Sequence, residues 1–229
     1  MIKYNFFGKD CIIDRELRDR SNLALRLQEK NFSSSNALFV NQIHGNEVIK
    51  IDDLKKIHGD QNLPKADALV TNLPNLAIAV ITADCAPILF FDQEEKVIAA
   101  AHAGWRGAKN GIIKSTISAM KNLQAKNITA VIGPMIQQNS YEVSQDFFAD
   151  FLSEDSENKE FFKNSEKPNK YWFDLPSYIE KKLRQENIFT IINLAIDTYK
   201  NEKDFFSFRR STHLKESDCG RNVSVIEVC

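Results

Sequence analysis

Four short apolar runs, LAIAVIT at 76–82, ILFFD at 88–92, VIAAAH at 97–102 and TAVI at 129–132, dominate the middle of this 229-residue chain. Each is broken by Pro, Asp or Gly, which is the length and punctuation of buried strands rather than of helices. Together they predict a central sheet.

The residues around them supply the cover. Ile113, Ile117, Met120 and Leu123 recur at helical spacing while Lys114, Ser118 and Lys121 fall on another face, so an amphipathic helix packs on the sheet. Two further helices are expected at about 144–153 and 175–187, the second led in by Leu175 and Pro176 ahead of Ile179 and Leu183. IFTIINLAI at 188–196 and VSVIEV at 223–228 read as additional strands. The charged, Ser- and Asn-rich stretch 153–170 reads as a solvated loop or frayed helix. No linker, repeat or low-complexity segment divides the chain. The expectation is therefore one α+β domain over 1–229, a mixed central sheet layered with helices.

Charge and composition narrow the partners. Thirty basic against 31 acidic side chains leave a formal net charge of -1, which argues against a nucleic-acid partner. The first twenty residues lack a signal-peptide apolar core, and no stretch approaches the roughly 18 apolar residues of a membrane span. A cytoplasmic protein without a membrane partner is expected, as a monomer, with weak homo-oligomerisation the alternative. Cysteines at 11, 85, 219 and 229 have no CxxC spacing and should remain thiols in a reducing compartment. Cys11, Cys219 and Cys229 read as bystanders.

Cys85 is different because of its company. His44 in NQIHG, Cys85 in TADC and His102 in AAAHAGWRG are 41 (85 − 44) and 17 (102 − 85) residues apart, so only the tertiary fold could bring them together. Thiolate and imidazole favour zinc or copper over magnesium or calcium, and three protein ligands with an open position form the usual catalytic zinc pattern. One zinc ion is the first reading and copper the alternative. The spacing equally admits a bland reading, with Cys85 a small buried hydrophobe and the histidines satisfied core residues.

Other side chains could serve such a site. Asp84 and Glu142 are candidates to move a proton, although either could equally cap a turn or pair with an arginine. Arg106 follows Trp105, and Arg209 and Arg210 follow Phe208, an interleaving of aromatic and guanidinium groups that suits an anionic or stacked ligand. Arg106 could instead be a structural partner, and Arg210 is the stronger candidate for a phosphate. At the Gly133-Pro134 turn, backbone N–H groups could face a ligand.

Taken in order, NQIHGNEV (41–48), ADALVTN (66–72), TADCAPILFFD (82–92), AAAHAGWRG (99–107), IGP with YEV (132–143), DTYKNEKDFFSFRRS (197–211) and GRNVSVI (220–226) resemble the YfiH-like family. Its members are often labelled laccase-domain or polyphenol oxidoreductase proteins. The resemblance implies a YfiH-like fold with His44, Cys85 and His102 as zinc ligands. It also implies phosphorolysis of purine nucleosides (adenosine, inosine, guanosine or methylthioadenosine), alongside adenosine deamination. Purine nucleoside and phosphate would then be the partners, with Asp84, Glu142 and Arg106 as catalytic candidates and Arg210, Arg209 and Gly133 as substrate- or phosphate-binding ones. A multicopper centre does not fit the residue count, since four histidines cannot ligate a three-copper cluster and a separate blue-copper centre. A single-copper oxidoreductase remains an alternative. So does a hydrolase editing peptidoglycan precursors, using either a metal-activated water or Cys85 as nucleophile with His102 as base. A non-enzymatic alternative closes the metal site with His213 or Cys219. The chain departs from the family in FFGKDCIIDRELRDR at 6–20, where a Thr-Arg-x-Gly-Gly segment is common, and at Asn41, Met135 and Gln138.

Overall fold

The apolar runs are divided between two stacked sheets. The structure, a computed structural model, describes residues 1–13, 21–53, 63–217 and 219–229; the part of the atypical N-terminal segment at 14–20 lies outside the described residues. Its first half comprises β1 (Ile2–Phe7), α1 (Ser21–Glu29), β2 (Ala37–Leu38), β3 (Val48–Ile51), β4 (Ala68–Thr71), β5 (Ala77–Thr82), β6 (Ala86–Asp92) and β7 (Val97–Ala103). Then follow α2 (Trp105–Lys109), α3 (Ile112–Asn122), β8 (Ile128–Ile132), β9 (Glu142–Ser144), α4 (Gln145–Glu154), β10 (Phe162–Asn164) and β11 (Lys170–Phe173). The chain finishes with α5 (Leu175–Gln185), β12 (Thr190–Asn193), α6 (Phe208–Leu214) and β13 (Asn222–Val228).

One sheet has the order β12-β8-β6-β7-β4-β3, the second β1-β13-β5-β2, and a small third one β10-β11-β9. Both large sheets are mixed: β12 with β8, β3 with β4 and β2 with β5 are parallel, and the remaining pairs antiparallel. The fold is α+β, as the sequence predicts. The run at 76–82 is the difference in detail, since β5 joins the second sheet rather than the one that holds β6, β7 and β8.

Alternation along the strands explains the layering. Ile98 and Ala100 of β7 and Leu89 of β6 meet Ile78 and Val80 of β5 and Ile226 and Val228 of β13 between the sheets. The opposite faces are also covered: Ile88, Phe90, Val97 and Ala99 pack with Ile113, Ile117 and Met120 of α3 and Ile179 of α5. Ala79, Val223 and Val225 pack with Leu23 and Leu27 of α1. Strands buried on both faces carry continuous apolar runs, which is why the sequence shows no polar alternation there. Among the described residues no helix is long and apolar enough to cross a membrane.

The stretch 153–170 is more ordered than its composition suggests. Asp155 caps a 3-10 turn at Ser156–Phe161 by accepting the Glu157 N–H, and Asn158 and Phe161 are buried. The Phe162 ring lies 4.8 Å from Phe173, and Phe161 lies 5.3 Å from Tyr178. Two adjacent phenylalanines thus anchor a segment that its charges would otherwise leave in solvent. The strand expected over 188–196 shortens to Thr190–Asn193, because the Asn193 side chain accepts the Ala195 N–H and Ala195 adopts a left-handed φ of 53°.

Asp92, fully buried, staples the β6–β7 hairpin to the approach to β8. Its Oδ1 accepts the N–H groups of Glu94 and Glu95 at 3.0 Å each, and its Oδ2 those of Lys126 and Asn127 at 2.7 and 2.8 Å. Burial acts to raise its pKa, but the four N–H donors outweigh it and hold the carboxyl below the ordinary range. A depressed carboxylate pKa contributes stability that is present above the unfolded value of about 4 and lost as pH falls through the folded value. Asp92→Asn, which turns an amide donor toward donors, should therefore cost roughly 1–3 kcal/mol in urea unfolding near pH 7. The gap between variant and parent should shrink as the medium is acidified below about pH 4.

Candidate metal centre

His102 shares the inter-sheet side of β7 with Ile98 and Ala100 and is the next-to-last residue of the strand. The antiparallel register places it opposite Pro87, and Cys85 lies just before β6 begins. His44 arrives from the turn that precedes β3. Two of the supporting residues have left-handed backbone without being glycine: His44 at φ 60° and Asp84 at φ 84°. Such positions cost of order 1–3 kcal/mol each and persist where other bonds over-determine them.

Here those bonds come from Asp67, a fully buried carboxylate in the residue before β4. Its Oδ1 accepts the His44 N–H at 2.9 Å and lies 2.8 Å from Nδ1 of His102; its Oδ2 accepts the N–H groups of Gly45 at 2.6 Å and Ile43 at 3.2 Å. The His102 N–H also donates to the Asp67 carbonyl at 2.8 Å. An ionised carboxylate only accepts, so His102 carries its proton on Nδ1 and presents Nε2 to Cys85.

One ligand atom from each of His44, Cys85 and His102 lies within 4.8 Å of the others. The imidazoles are nearly perpendicular, with ring centroids 4.7 Å apart. Gly104 leaves the space they need: a Cβ there would stand 2.8 Å from Cys85 Sγ and 3.3 Å from His44 Cδ2. Burial opposes ionisation of Cys85, yet the His102 and His44 imidazoles outweigh it and pull the thiol toward thiolate. Burial likewise opposes charge on His102, while the Cys85 thiolate and Asp67 raise its pKa. A thiolate, two imidazoles, an orienting carboxylate and a glycine-lined space fit a soft divalent ion such as zinc. Among the described residues the group consists of these three, so His213 and Cys219 do not close it. His213 Nδ1 lies 2.9 Å from the Tyr199 hydroxyl, and the Cys219 thiol faces the Gly220 carbonyl.

The other expected residues divide into two sets. Asp84 accepts from the Thr198 hydroxyl at 2.7 Å and from the Arg209 N–H at 2.6 Å, so its carboxylate ties the β5–β6 corner to α6. Arg209 NH1 donates to the Glu142 carbonyl at 2.7 Å, and its guanidinium lies over the Tyr141 ring, 5.2 Å from the centroid. Arg106, exposed, stacks on Trp105 at 4.9 Å. Cys85, Arg209, Asp84 and Arg106 all bear electrostatically on Tyr141, which marks them as one neighbourhood.

The remaining three have different employment. Arg210 donates to the carbonyls of Thr198, Tyr199 and Phe205 at 2.7, 2.9 and 2.6 Å, so its guanidinium braces the loop before α6. The Glu142 carboxylate bonds the Ser165 hydroxyl at 2.7 Å and pairs with Lys167 at 2.9 Å, on the β10–β11 connection. The Gly133 N–H donates to the Pro87 carbonyl, and a Cβ at this position would fall 2.2 Å from the Phe6 ring. Close packing requires a glycine here. Asp67 and Tyr141 are the residues that sequence reasoning passed over. Each lies inside a block that carries the family resemblance, and the one available signal for Asp67 was an acidic residue opening a buried strand.

A family model described as multi-copper polyphenol oxidoreductase laccase matches residues 10–229. A Rickettsia conorii protein named purine nucleoside phosphorylase is 43% identical over 185 residues, which cover 81% of this chain and 75% of the relative. The Escherichia coli purine nucleoside phosphorylase YfiH is 32% identical over 193 residues, covering 84% and 74%. The crystal structure of a Bacillus licheniformis YfiH protein superposes with a TM-score of 0.83 at 24% identity, covering 100% of this chain and 93% of that one, a likeness of fold.

Asp67→Asn should weaken zinc binding roughly 10- to 100-fold, the usual cost of losing an outer-shell partner. A chelator-competition titration of the purified protein measures it, and unchanged affinity would remove Asp67 from the centre.

Proposed function

The chain belongs to the laccase-like polyphenol oxidoreductase family, and from that membership we propose that it is a zinc-dependent purine nucleoside phosphorylase with adenosine deaminase activity. The observation that supports this most directly is the His44, Cys85 and His102 group with two arginines close by. The multicopper label is not carried over, because four histidines are too few. The proposed substrates are adenosine, inosine, guanosine or methylthioadenosine, with inorganic phosphate. The proposal treats 1–229 as one catalytic domain of a cytoplasmic monomer.

In phosphorolysis a phosphate oxygen forms a bond to the anomeric carbon as the glycosidic C–N bond breaks. The electron pair leaves with the purine, which takes up a proton, and the sugar 1-phosphate remains. In deamination a water oxygen bonds C6 of adenosine and ammonia leaves. A zinc ion held by His44, Cys85 and His102 would supply Lewis-acid polarisation near the reacting centre. The protein's own task is to place charge where it develops. We assign the phosphate to Arg209 and Arg106, since Arg210 is committed to backbone carbonyls. Asp84 acts as a positioning residue, holding the N-terminus of α6 so that Arg209 faces Tyr141. Asp67 keeps the His102 proton on Nδ1.

Purified zinc-loaded protein given adenosine, with and without phosphate, should release adenine and ribose 1-phosphate only with phosphate, and inosine in either case, followed chromatographically. Cys85→Ala should lose the metal and lower both rates by at least about a hundredfold, beyond the typical loss of an outer-shell partner. Full turnover in a metal-free Cys85→Ala protein would end the zinc reading, and absence of both products from metal-loaded parent protein would end the nucleoside reading.

A further inference from the structure

Tyr141 begins the segment that leads into β9, and its ring is held from several sides. Phe147 and Phe173 meet it edge-on at 6.2 and 5.7 Å, and the Arg209 guanidinium lies over it. Its backbone is fixed too: the N–H donates to the Gln138 carbonyl at 3.1 Å and the carbonyl accepts the Phe173 N–H at 3.0 Å. The hydroxyl is the exception, with no hydrogen-bond partner among the described residues. Other tyrosines are employed differently. Tyr171 donates to Gln145 and Tyr199 meets His213, while the unpaired Tyr178 hydroxyl is buried in the cluster with Phe151, Phe161 and Phe173. Only for Tyr141 does a rigid ring leave a polar tip without a partner in the neighbourhood of Cys85, Arg209, Asp84 and Arg106.

We propose that the Tyr141 hydroxyl donates a hydrogen bond to the attacking phosphate, between the Arg106 and Arg209 guanidinia, and is a binding residue for the anionic co-substrate rather than for the nucleoside. The inference rests on the phosphorylase reading above and adds the residue that gives the anion site direction. Two guanidinium groups attract any anion, whereas a hydroxyl fixed by its ring selects the oxygen position at which a donor is useful. Burial, reinforced by the nearby Cys85 charge, pushes the phenol pKa above its ordinary value, so the group remains a donor at every working pH. Phosphate would give the phenol O–H an acceptor with several lone pairs beside the Arg209 guanidinium.

Tyr141→Phe tests this in the zinc-loaded enzyme, since Phe retains the ring contacts and removes only the donor. Loss of one hydrogen bond to a charged oxygen should raise both the KM for phosphate and the calorimetric Kd for inorganic phosphate by about tenfold or more. The KM for adenosine and the zinc content should stay within about twofold of the parent. Phosphate affinity unchanged in the variant, or a loss confined to the nucleoside KM, overturns the assignment. If the parent binds phosphate but forms no ribose 1-phosphate, the phosphorylase reading fails while the calorimetric comparison still decides whether Tyr141 contacts the anion. A parent that binds no phosphate overturns the Tyr141 assignment as well.

Discussion

One buried carboxylate holds the candidate centre together. Asp67 collects the N–H groups of Ile43, His44 and Gly45 and the ring nitrogen of His102, so a single residue fixes the turn that carries one imidazole and the orientation of the other. A charge in that position is tolerable only because its oxygens are saturated with donors. Removing any of these partners would leave an unsatisfied group in the interior, which couples the geometry of the centre to the stability of the β3–β4 edge. The left-handed backbone at His44 is a further part of this bargain: three N–H groups can converge on one carboxylate because the chain turns so tightly there.

The sheet arrangement places Cys85, the third member of the group. Only Ala83, Asp84 and Cys85 separate β5, in one large sheet, from β6 in the other. So short a crossing cannot be made with relaxed extended backbone, and the left-handed Asp84 makes the corner. The same residue then uses its carboxylate to hold Thr198 and the start of α6. The cysteine is delivered to the gap between the sheets at the end where His102 emerges, and α6 brings Arg209 to the same end. Fold and site are thus joined by a three-residue corner.

Much of this was legible in the residues themselves. The apolar runs marked β5, β6, β7, β8 and β13, helical spacing marked α3, and the helices expected at about 144–153 and 175–187 are α4 and α5. The assignment of β5 to its sheet was not legible, because strands covered on both faces lack the alternation that would reveal which face meets which neighbour. The His–Cys–His group could be named but not its support, since Asp67 is remote in sequence from all three and conveys nothing periodic. Adjacent Arg209 and Arg210 look equivalent on paper. Their directions separate only once Ser207 caps α6 and sets successive side chains about 100° apart around the helix. The order within 153–170 was not legible, because it depends on the Phe161–Phe162 anchor, which also draws Ser165 and Lys167 to where the Glu142 carboxylate meets them.

The bracing of three carbonyls by Arg210 has a consequence for how mutational kinetics on this scaffold are interpreted. Replacing that arginine would release the 198–205 loop, slacken the approach to α6, and so displace Arg209 without touching any bound molecule. The resulting profile, weaker saturation and slower turnover together, would imitate the loss of a direct ligand contact. A residue that merely ties down its neighbour's backbone can therefore pass, in an alanine scan, for the one that grips the anion.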